Sequence, residues 1–170
     1  MHRTSIIIPA YNEEKRIGKT LEAYSNFFEN RRKEGKIDYE IIVSINNTTD
    51  RTKEIVVDYK KKNKRIRYID LKIGGKGYAV IEAFKDSLKR EHQTLGFVDA
   101  DMATSPEEYW KMLVSLERHP NFGGVIASRY VKGAKIIPKP SIRRKIAKWM
   151  FNAVVRAILL MSYRDTQCGC

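Results

Sequence analysis

Two carboxylates spaced two residues apart are the clearest chemical feature of this sequence. Asp99 and Asp101 directly follow the apolar run Leu95–Val98, which is typical of a buried strand. Held together at a strand end, two carboxylates repel each other unless they share a cation. Hard oxygen ligands of this kind suit Mg²⁺ or Mn²⁺, which in turn hold a diphosphate. An acidic loop that caps the next helix is the alternative, and the preceding buried strand favours the metal site.

A glycine-rich turn is the second such feature. Gly74-Gly75-Lys76-Gly77 precedes a helical pattern, so backbone amides and the Lys76 ammonium can approach a phosphate there. The spacing matches neither a P-loop nor the dinucleotide-binding fingerprint, so the turn supports neither an ATPase nor a dehydrogenase. An ordinary tight turn explains the same glycines equally well.

Short apolar runs alternate with amphipathic stretches along the chain, and these elements must position the two features. The predicted strands are Ser5–Ile8, Glu40–Ile45, Arg67–Leu71, Thr94–Val98 and Gly124–Ser128. The predicted helices run from Glu13 to about Arg32, from about Asp50 to Lys62, from the glycine turn through Leu88, and from Pro106 to about Arg118. This order predicts an α/β fold with a doubly wound, mostly parallel sheet.

In such sheets, ligands bind outside the carboxyl ends of the strands. Polar or glycine-rich segments follow all five predicted strands, and their agreement is stronger than any single motif. These segments are Pro9–Glu13, Asn46–Asp50, Gly74–Gly77, Asp99–Asp101 and Ser128–Arg129.

Composition indicates one core and an anionic partner. The chain has 170 residues, of which 42% are hydrophobic, enough to bury one sizeable core. Of the 33 Lys and Arg residues behind the net charge of +13, eleven lie between Arg118 and Arg164, a stretch with no Asp or Glu. Such a basic segment points to nucleic acid, acidic lipid headgroups or a phosphorylated substrate.

Cysteine use and hydropathy favour a cytosolic chain. Cys168 and Cys170 have no second pair to complete a zinc site, which fits a reducing compartment. An apolar strand follows Met1 and His2 almost directly, without the long apolar segment of a signal peptide. No stretch approaches the roughly 18 uncharged apolar residues that a membrane span needs.

Four segments, in order and spacing, carry a family resemblance: SIIIPAYNEEKRI, GGKGYAVIEAF, VDADMATSPEE and ASRY. The chain resembles the family-2 glycosyltransferases of the glycosyltransferase A fold over essentially its whole length. The later stretch, from Arg143-Arg144 to Asp165-Thr166-Gln167-Cys168-Gly169, resembles the branch that transfers sugar to polyprenyl phosphates, especially the dolichyl-phosphate glucosyltransferases. The resemblance implies a Rossmann-like fold and inverting transfer of glucose from a UDP-sugar to dolichyl or another polyprenyl phosphate. It places the protein in the cytoplasm, peripheral on or anchored to the cytosolic face of a membrane.

The resemblance also implies residue roles, with Mg²⁺ or Mn²⁺ as the cofactor. The implied catalytic residues are Asp99, Asp101 and Arg129, of which Asp99 and Asp101 face the metal. The implied nucleotide-binding residues are Pro9, Tyr11, Glu13, Asn46, Lys76 and Asp99. Many relatives carry Asp-Asp-Gly-Ser after the second strand, where this chain has Ile45-Asn46-Asn47-Thr48. The Asn46 amide oxygen can accept a hydrogen bond from a base N–H, but it carries no charge.

The C-terminal part, residues 136–170, is interpreted as an acceptor-side segment of the same domain as residues 1–135. Ser141–Met161 is predicted to form an amphipathic helix whose apolar face includes Met150 and Ala153, with Asn152 elsewhere. Its basic flank and broad apolar surface suit an interfacial membrane helix; a core-packing helix with a solvated basic face is the alternative. The residues assigned to the acceptor phosphate and an anionic membrane are Arg143, Arg144, Lys148 and Trp149. Relatives continue past the motif in which Cys170 stands, so we expect a truncated chain.

Two other functions compete with the leading one. The first is an enzyme of the same fold that builds a cell-surface polysaccharide from GDP-mannose or a UDP-sugar, with a non-phosphate acceptor. The second is a nucleic-acid-binding module, but it leaves the Asp pair unexplained and lacks a recognised motif. We therefore expect a nucleotide sugar and a lipid phosphate as partners, and no nucleic acid.

Overall fold

The protein alternates strands and helices in the order predicted above. The structure, a computed structural model, describes residues 2–90, 92–128, 149–153, 155 and 158. The elements are β1 (Arg3–Ala10), α1 (Ile17–Lys33), β2 (Asp38–Asn46), α2 (Thr52–Lys62), β3 (Ile66–Leu71), α3 (Lys76–Leu88), β4 (Thr94–Phe97) and α4 (Pro106–Arg118).

The strands form one parallel sheet in the order β3-β2-β1-β4. Ile7 of β1 lies opposite Ile42 of β2 and Phe97 of β4. The chain winds outward from β1 to β3 and then returns to the other side of β1 as β4. This order confirms the predicted doubly wound α/β sheet. It also creates a topological switch point between β1 and β4, outside their carboxyl ends.

The apolar run of β1 is buried on both faces of the sheet, which is why it does not alternate with polar residues. Ile6 and Ile8 belong to the large core formed with α1, α2 and α4, whereas Ile7 packs with Ala83 of α3. All three isoleucines are fully buried. Burying each contributes about 1.5–3 kcal/mol relative to exposure, so the central strand is a stable base for the residues that follow it.

Helix α1 fixes the turn that follows β4. The Thr20 hydroxyl donates to the carbonyl of Ala100 at 2.6 Å, and the Tyr24 hydroxyl donates to that of Thr104 at 2.9 Å. Gly96 lets α4 pack closely on β4, since an added Cβ would lie 3.1 Å from Cζ of Tyr109. The carboxylates after β4 therefore stand on a turn held from two sides.

Two predicted elements differ in the structure. The strand predicted at Gly124–Ser128 is wrong: these residues form no regular structure, and 121–126 are exposed. A short run after two glycines has little intrinsic preference for a strand, and it pairs with no described neighbour. Helix α1 begins at Ile17 rather than at Glu13, because a tight turn comes first, in which the Glu13 carbonyl accepts from the amides of Arg16 and Ile17 at 2.9 Å each.

Candidate active site

A cleft of about 290 Å³ opens at the switch point. It is lined by Pro9, Ala10, Tyr11, Glu13, Asn46, Lys76, Asp99, Ala100 and Asp101. Every nucleotide-site and metal-site residue that was predicted within the described ranges lies on this one cleft. The ends of β1, β2 and β4 and the start of α3 supply them, as the strand-end rule requires.

Asp99 already has a cationic partner in the cleft. Its Oδ1 forms an ion pair with Nζ of Lys76, the first residue of α3. The Lys76 ammonium also lies 5.8 Å from the centre of the Phe97 ring. Gly75, with φ of 135°, turns the chain into α3 in a conformation that side chains other than glycine rarely adopt. The glycine turn therefore places the Lys76 ammonium next to the Asp99 carboxylate.

Asp101 belongs to a tight turn and does not cap α4. Its Oδ1 accepts a hydrogen bond from the amide of Ala103 at 2.9 Å, and the side chain is exposed. The cap of α4 is Ser105, whose hydroxyl accepts from the amide of Glu108, followed by Pro106 in the first turn. The helix-capping alternative for the acidic pair is therefore wrong.

The donor set suits a hard divalent cation that arrives with phosphate. Within the ranges that the structure describes, no three His, Cys, Asp or Glu side chains are grouped to hold a metal ion. Asp99 and Asp101 nevertheless line the same cleft. Mg²⁺ is usually bound by one or two carboxylates together with substrate phosphates and water. The two carboxylates fit that arrangement, and they do not make an all-protein metal cage.

Asn46 lines the same cleft as the acidic pair and carries a hydrogen-bond acceptor that is not used by the described residues. It is the last residue of β2, and its side chain is only 5% exposed. Its amide oxygen has no hydrogen-bond partner among the described residues, although the residue lines the cleft. Leaving a buried polar atom unpaired costs about 1–3 kcal/mol. A ligand N–H donor in the cleft removes that cost.

A hydrogen-bond network joins the loops after β1 and β2, and sequence reasoning missed it. Asn12 has φ of 53°, and its Oδ1 accepts from the amide of Thr49 and the hydroxyl of Thr48, both at 2.9 Å. The amide of Asn12 donates back to Thr48 Oγ1 at 2.9 Å. Asn12 separates Tyr11 from Glu13, so these bonds position two residues of the cleft.

The same two loops are joined a second time through Asp50. Its Oδ2 accepts from the amide of Glu14 at 3.0 Å, and its Oδ1 accepts from the amide of Thr52 at 2.9 Å. The Thr52 hydroxyl in turn accepts from the amide of Glu13 at 2.8 Å. Burial acts to raise the pKa of Asp50, but the hydrogen bonds from Thr52, Glu14 and Thr48 outweigh it and hold that pKa below its usual value. The facing runs of Asn, Thr, Asp and Glu after two strands were the available signal.

The predicted acceptor side falls mostly on residues that are not described. Arg129, Arg143, Arg144 and Lys148 lie outside the described residues. Residues 149–153 are helical, and Trp149 is 70% exposed. Met150 and Ala153 are exposed as well, whereas Asn152, predicted to lie off the apolar face, is buried. Among the described residues, no helix is both long enough and apolar enough to cross a bilayer.

Comparison with known proteins defines the class. Residues 5–166 match the family described as Glycosyl transferase family 2, and the chain belongs to that family.

Several proteins similar to this chain have dolichyl phosphate or dolichol phosphate in their names. The chain is 34% identical to the dolichyl-phosphate beta-glucosyltransferase of Drosophila melanogaster, over 97% of this chain and 52% of the relative. It is 32% identical to the enzyme of the same name from Dictyostelium discoideum, with 97% and 52% covered. It is 30% identical to the dolichol-phosphate mannosyltransferase of Pyrococcus furiosus, over 96% of this chain and 43% of the relative. The chain thus spans about half the length of the curated relatives it matches.

Proposed function

We propose that this chain carries the donor site of an enzyme that transfers a sugar, glucose, from a UDP-sugar to a dolichyl or other polyprenyl phosphate. One observation carries the proposal. In a family-2 chain, a buried unpaired acceptor (Asn46), an acidic pair (Asp99 and Asp101) and a helix-start lysine (Lys76) line one cleft at the switch point. Asn46 suits the base of a nucleotide, the acidic pair suits a metal ion bound to its diphosphate, and Lys76 suits a phosphate oxygen of the same ligand.

The names of the relatives support the acceptor. The glucosyltransferases from Drosophila and Dictyostelium and the mannosyltransferase from Pyrococcus differ in the sugar but share a dolichol-type phosphate. The relatives therefore support the lipid phosphate as acceptor more strongly than they support glucose as the transferred sugar. The mannosyltransferase match is also the specific reason to keep GDP-mannose as the second candidate donor.

Different residues of the cleft are assigned to different parts of the nucleotide-sugar donor. Asn46 accepts a hydrogen bond from the base, and Pro9 and Tyr11 form the wall beside it. Asp99 and Asp101 would hold Mg²⁺ or Mn²⁺, and the ion would supply positive charge to offset the charge that develops on the leaving diphosphate. Arg129, next along the chain from the described part, is assigned to phosphate on the resemblance given above.

The acceptor chemistry explains why the cleft needs no histidine, and none lines it in the described part. A phosphate oxygen of the acceptor forms a bond to the anomeric carbon as the bond from that carbon to the diphosphate oxygen breaks, with inversion. The electron pair of the broken bond stays on the leaving diphosphate. A phosphate monoester has a second pKa of about 6, so it is already ionised near neutral pH. It requires positioning and charge compensation rather than a general base.

The C-terminal segment is proposed to bring the chain to an anionic membrane on the cytosolic side. Trp149, Met150, Phe151 and Ile158 are exposed apolar residues in helical positions. They follow a long basic stretch that includes Arg143 and Arg144. Exposed aromatic residues beside basic ones are what an interfacial helix uses to bind lipid headgroups and acyl chains.

Calorimetric titration with nucleotides tests the donor site. UDP with Mn²⁺ or Mg²⁺ should bind more tightly than GDP, and Asn46→Ala should weaken UDP about tenfold, as expected for one lost hydrogen bond in a buried setting. Asn30→Ala, on an exposed part of α1, is the matched control and should not change UDP binding. Stronger GDP binding would favour the mannosyl donor. Failure of both nucleotides to bind with either metal would end the proposal.

The acceptor is tested by product chemistry and by lipid binding. A sugar–phosphate–lipid product is labile to mild acid, whereas a glycoside built on a non-phosphate acceptor is stable. Arg143→Ala/Arg144→Ala should raise the apparent KM for polyprenyl phosphate at least about tenfold, since each charge-assisted contact contributes about 1.5–3 kcal/mol. The same change should weaken sedimentation with anionic liposomes and leave UDP affinity intact. If both the KM and the sedimentation were unchanged, Arg143 and Arg144 would bind neither the acceptor phosphate nor the membrane.

A further inference from the structure

The ion pair between Lys76 and Asp99 places a fixed positive charge where a metal ligand is proposed. The Lys76 side chain is 54% exposed and that of Asp99 is 30% exposed, so the pair sits at the mouth of the cleft. The contact joins the start of α3 to the turn after β4, two elements that are separate in the sequence. Asp99 therefore has its charge compensated by the protein before any ligand enters.

The ammonium and a divalent cation compete for the same carboxylate. Two positive charges on one carboxylate repel each other, and the second carboxylate, Asp101, is exposed and bound through Oδ1 to the amide of Ala103. With Lys76 in place, Asp101 is the one carboxylate of the acidic pair whose charge is not compensated by an ion pair among the described residues. Metal alone should bind weakly.

The position of Lys76 favours contact between its ammonium and a bound diphosphate, and the surrounding turn leaves space for the side chain to move away from Asp99. It is the first residue of α3, where helix amides and the dipole also favour an anion. The turn around it is open, because a Cβ at Gly74 or Gly77 would meet nothing within 4 Å. A lysine ammonium on a flexible stem can therefore exchange Asp99 for a phosphate oxygen without moving the backbone.

We propose that Lys76 couples the two ligands: it suppresses metal binding to the unloaded cleft, and it releases Asp99 to the metal when a nucleoside diphosphate takes over its ammonium. This coupling rests on the proposed donor site. Because binding linkage is reciprocal, metal must strengthen nucleotide binding by the same factor by which nucleotide strengthens metal binding. A static ion pair that only joins α3 to the turn predicts no such dependence on Lys76.

Mn²⁺ binding, measured through the electron paramagnetic resonance signal of free Mn²⁺, separates these cases. Lys76→Met should bind Mn²⁺ alone about three- to fivefold more tightly than wild type, the range expected when a partly exposed ion pair is removed. UDP should then raise Mn²⁺ affinity by a factor at least about threefold smaller than in wild type. Lys72→Met removes the same charge from an exposed position at the other end of the turn and should change neither value.

Each outcome decides the matter. Equal tightening in Lys76→Met and Lys72→Met would show a general charge effect and overturn the proposal, as would no tightening in Lys76→Met. Adding Asp99→Asn to Lys76→Met should abolish the gain, because the freed carboxylate is gone; a persistent gain would overturn the proposal too. If wild type bound no UDP, the donor site would fail, while the arm with Mn²⁺ alone would still decide whether Lys76 suppresses metal binding.

Discussion

Replacing Asn12 by alanine should loosen both the fold and the donor cleft. Asn12 Oδ1 accepts two hydrogen bonds of 2.9 Å from the neighbouring loop, and its backbone has φ of 53°. Alanine loses the bonds to Oδ1, keeps the bond from its backbone amide to Thr48, and fits a left-handed backbone poorly, whereas asparagine tolerates it. The change therefore removes the side-chain bonds of Asn12 from the network and adds backbone strain in one step.

The magnitude follows from these two contributions. The two bonds are solvent-exposed, so each should contribute near the lower end of the usual net range, about 0.5–1 kcal/mol. The left-handed backbone adds about 1 kcal/mol for alanine. The sum is about 2–3 kcal/mol, which for a chain of 170 residues lowers Tm by roughly 4–12 °C. Because Tyr11 and Glu13 would then be held less firmly, the free energy of UDP binding should weaken by about 1 kcal/mol, which is a loss of affinity of about fivefold.

Two matched variants separate strain from hydrogen bonding. Asn12→Gly loses the side-chain bonds but accepts the backbone conformation, so it should show about half to two-thirds of the loss in unfolding free energy. Asn12→Asp keeps the acceptor oxygen and tolerates positive φ, so it should stay closest to wild type. Urea denaturation gives the unfolding free energy, and calorimetry gives the UDP affinity.

The results that contradict this reasoning are specific. If Asn12→Ala and Asn12→Gly lost the same stability, backbone strain would contribute nothing. If Asn12→Ala matched wild type in both stability and UDP affinity, the network would not position the cleft.

Three further predictions follow from single contacts. Asp101→Asn should abolish most turnover with little change in Tm, because asparagine retains the oxygen that accepts from Ala103; near-normal turnover across a range of Mn²⁺ concentrations would exclude the metal role. Gly96→Ala should cost about 1–3 kcal/mol of unfolding free energy by crowding Tyr109, and urea denaturation of Gly96→Ala/Tyr109→Phe should show partial recovery; full stability of the single variant would contradict the close packing. Stability should fall as pH drops below about 4, because hydrogen bonds keep the pKa of Asp50 lower in the folded state than in the unfolded one, so the unfolded state takes up the proton first. Asp50→Asn should flatten that pH dependence below about pH 4 in urea denaturation, and an unchanged slope would assign it to other carboxyls.

The strand–helix order was predictable because the signals for it are local. The run Ser5–Ile8 predicts a buried strand and is buried on both faces of the sheet, and Pro106 is both the predicted and the observed first residue of α4. The predicted strand at Gly124–Ser128 shows the limit of that reasoning. A strand needs a partner, and the hydrophobicity of a short run carries no information about its neighbour.

The cleft was predictable for a different reason. Parallel strands end at one edge of the sheet, so residues such as Asn46 and Asp99 converge whatever the details of the loops. The contacts between loops were not predictable in the same way. Asn12 meets Thr49, and Lys76 meets Asp99, only after the sheet has brought separate segments together, and nothing in the spacing of either pair marks it beforehand.

The two ends of the cleft differ in how complete they are without a ligand. At one end, Asn46 is buried at the end of β2, and the loops beside it are joined by several hydrogen bonds. If this end binds the base as proposed, ordering it should cost a nucleotide little free energy. At the other end, Asp101 is exposed and Asp99 is paired with Lys76; under the proposed function, phosphate and metal would enter this end together. Discrimination between bases should therefore depend on the rigid end and should be nearly the same with or without metal. Total affinity should depend strongly on metal and on ionic strength, because the charged end is screened by salt and the buried end is not. Raising salt from low to high concentration should thus weaken UDP and GDP by similar factors and leave the ratio of their affinities unchanged.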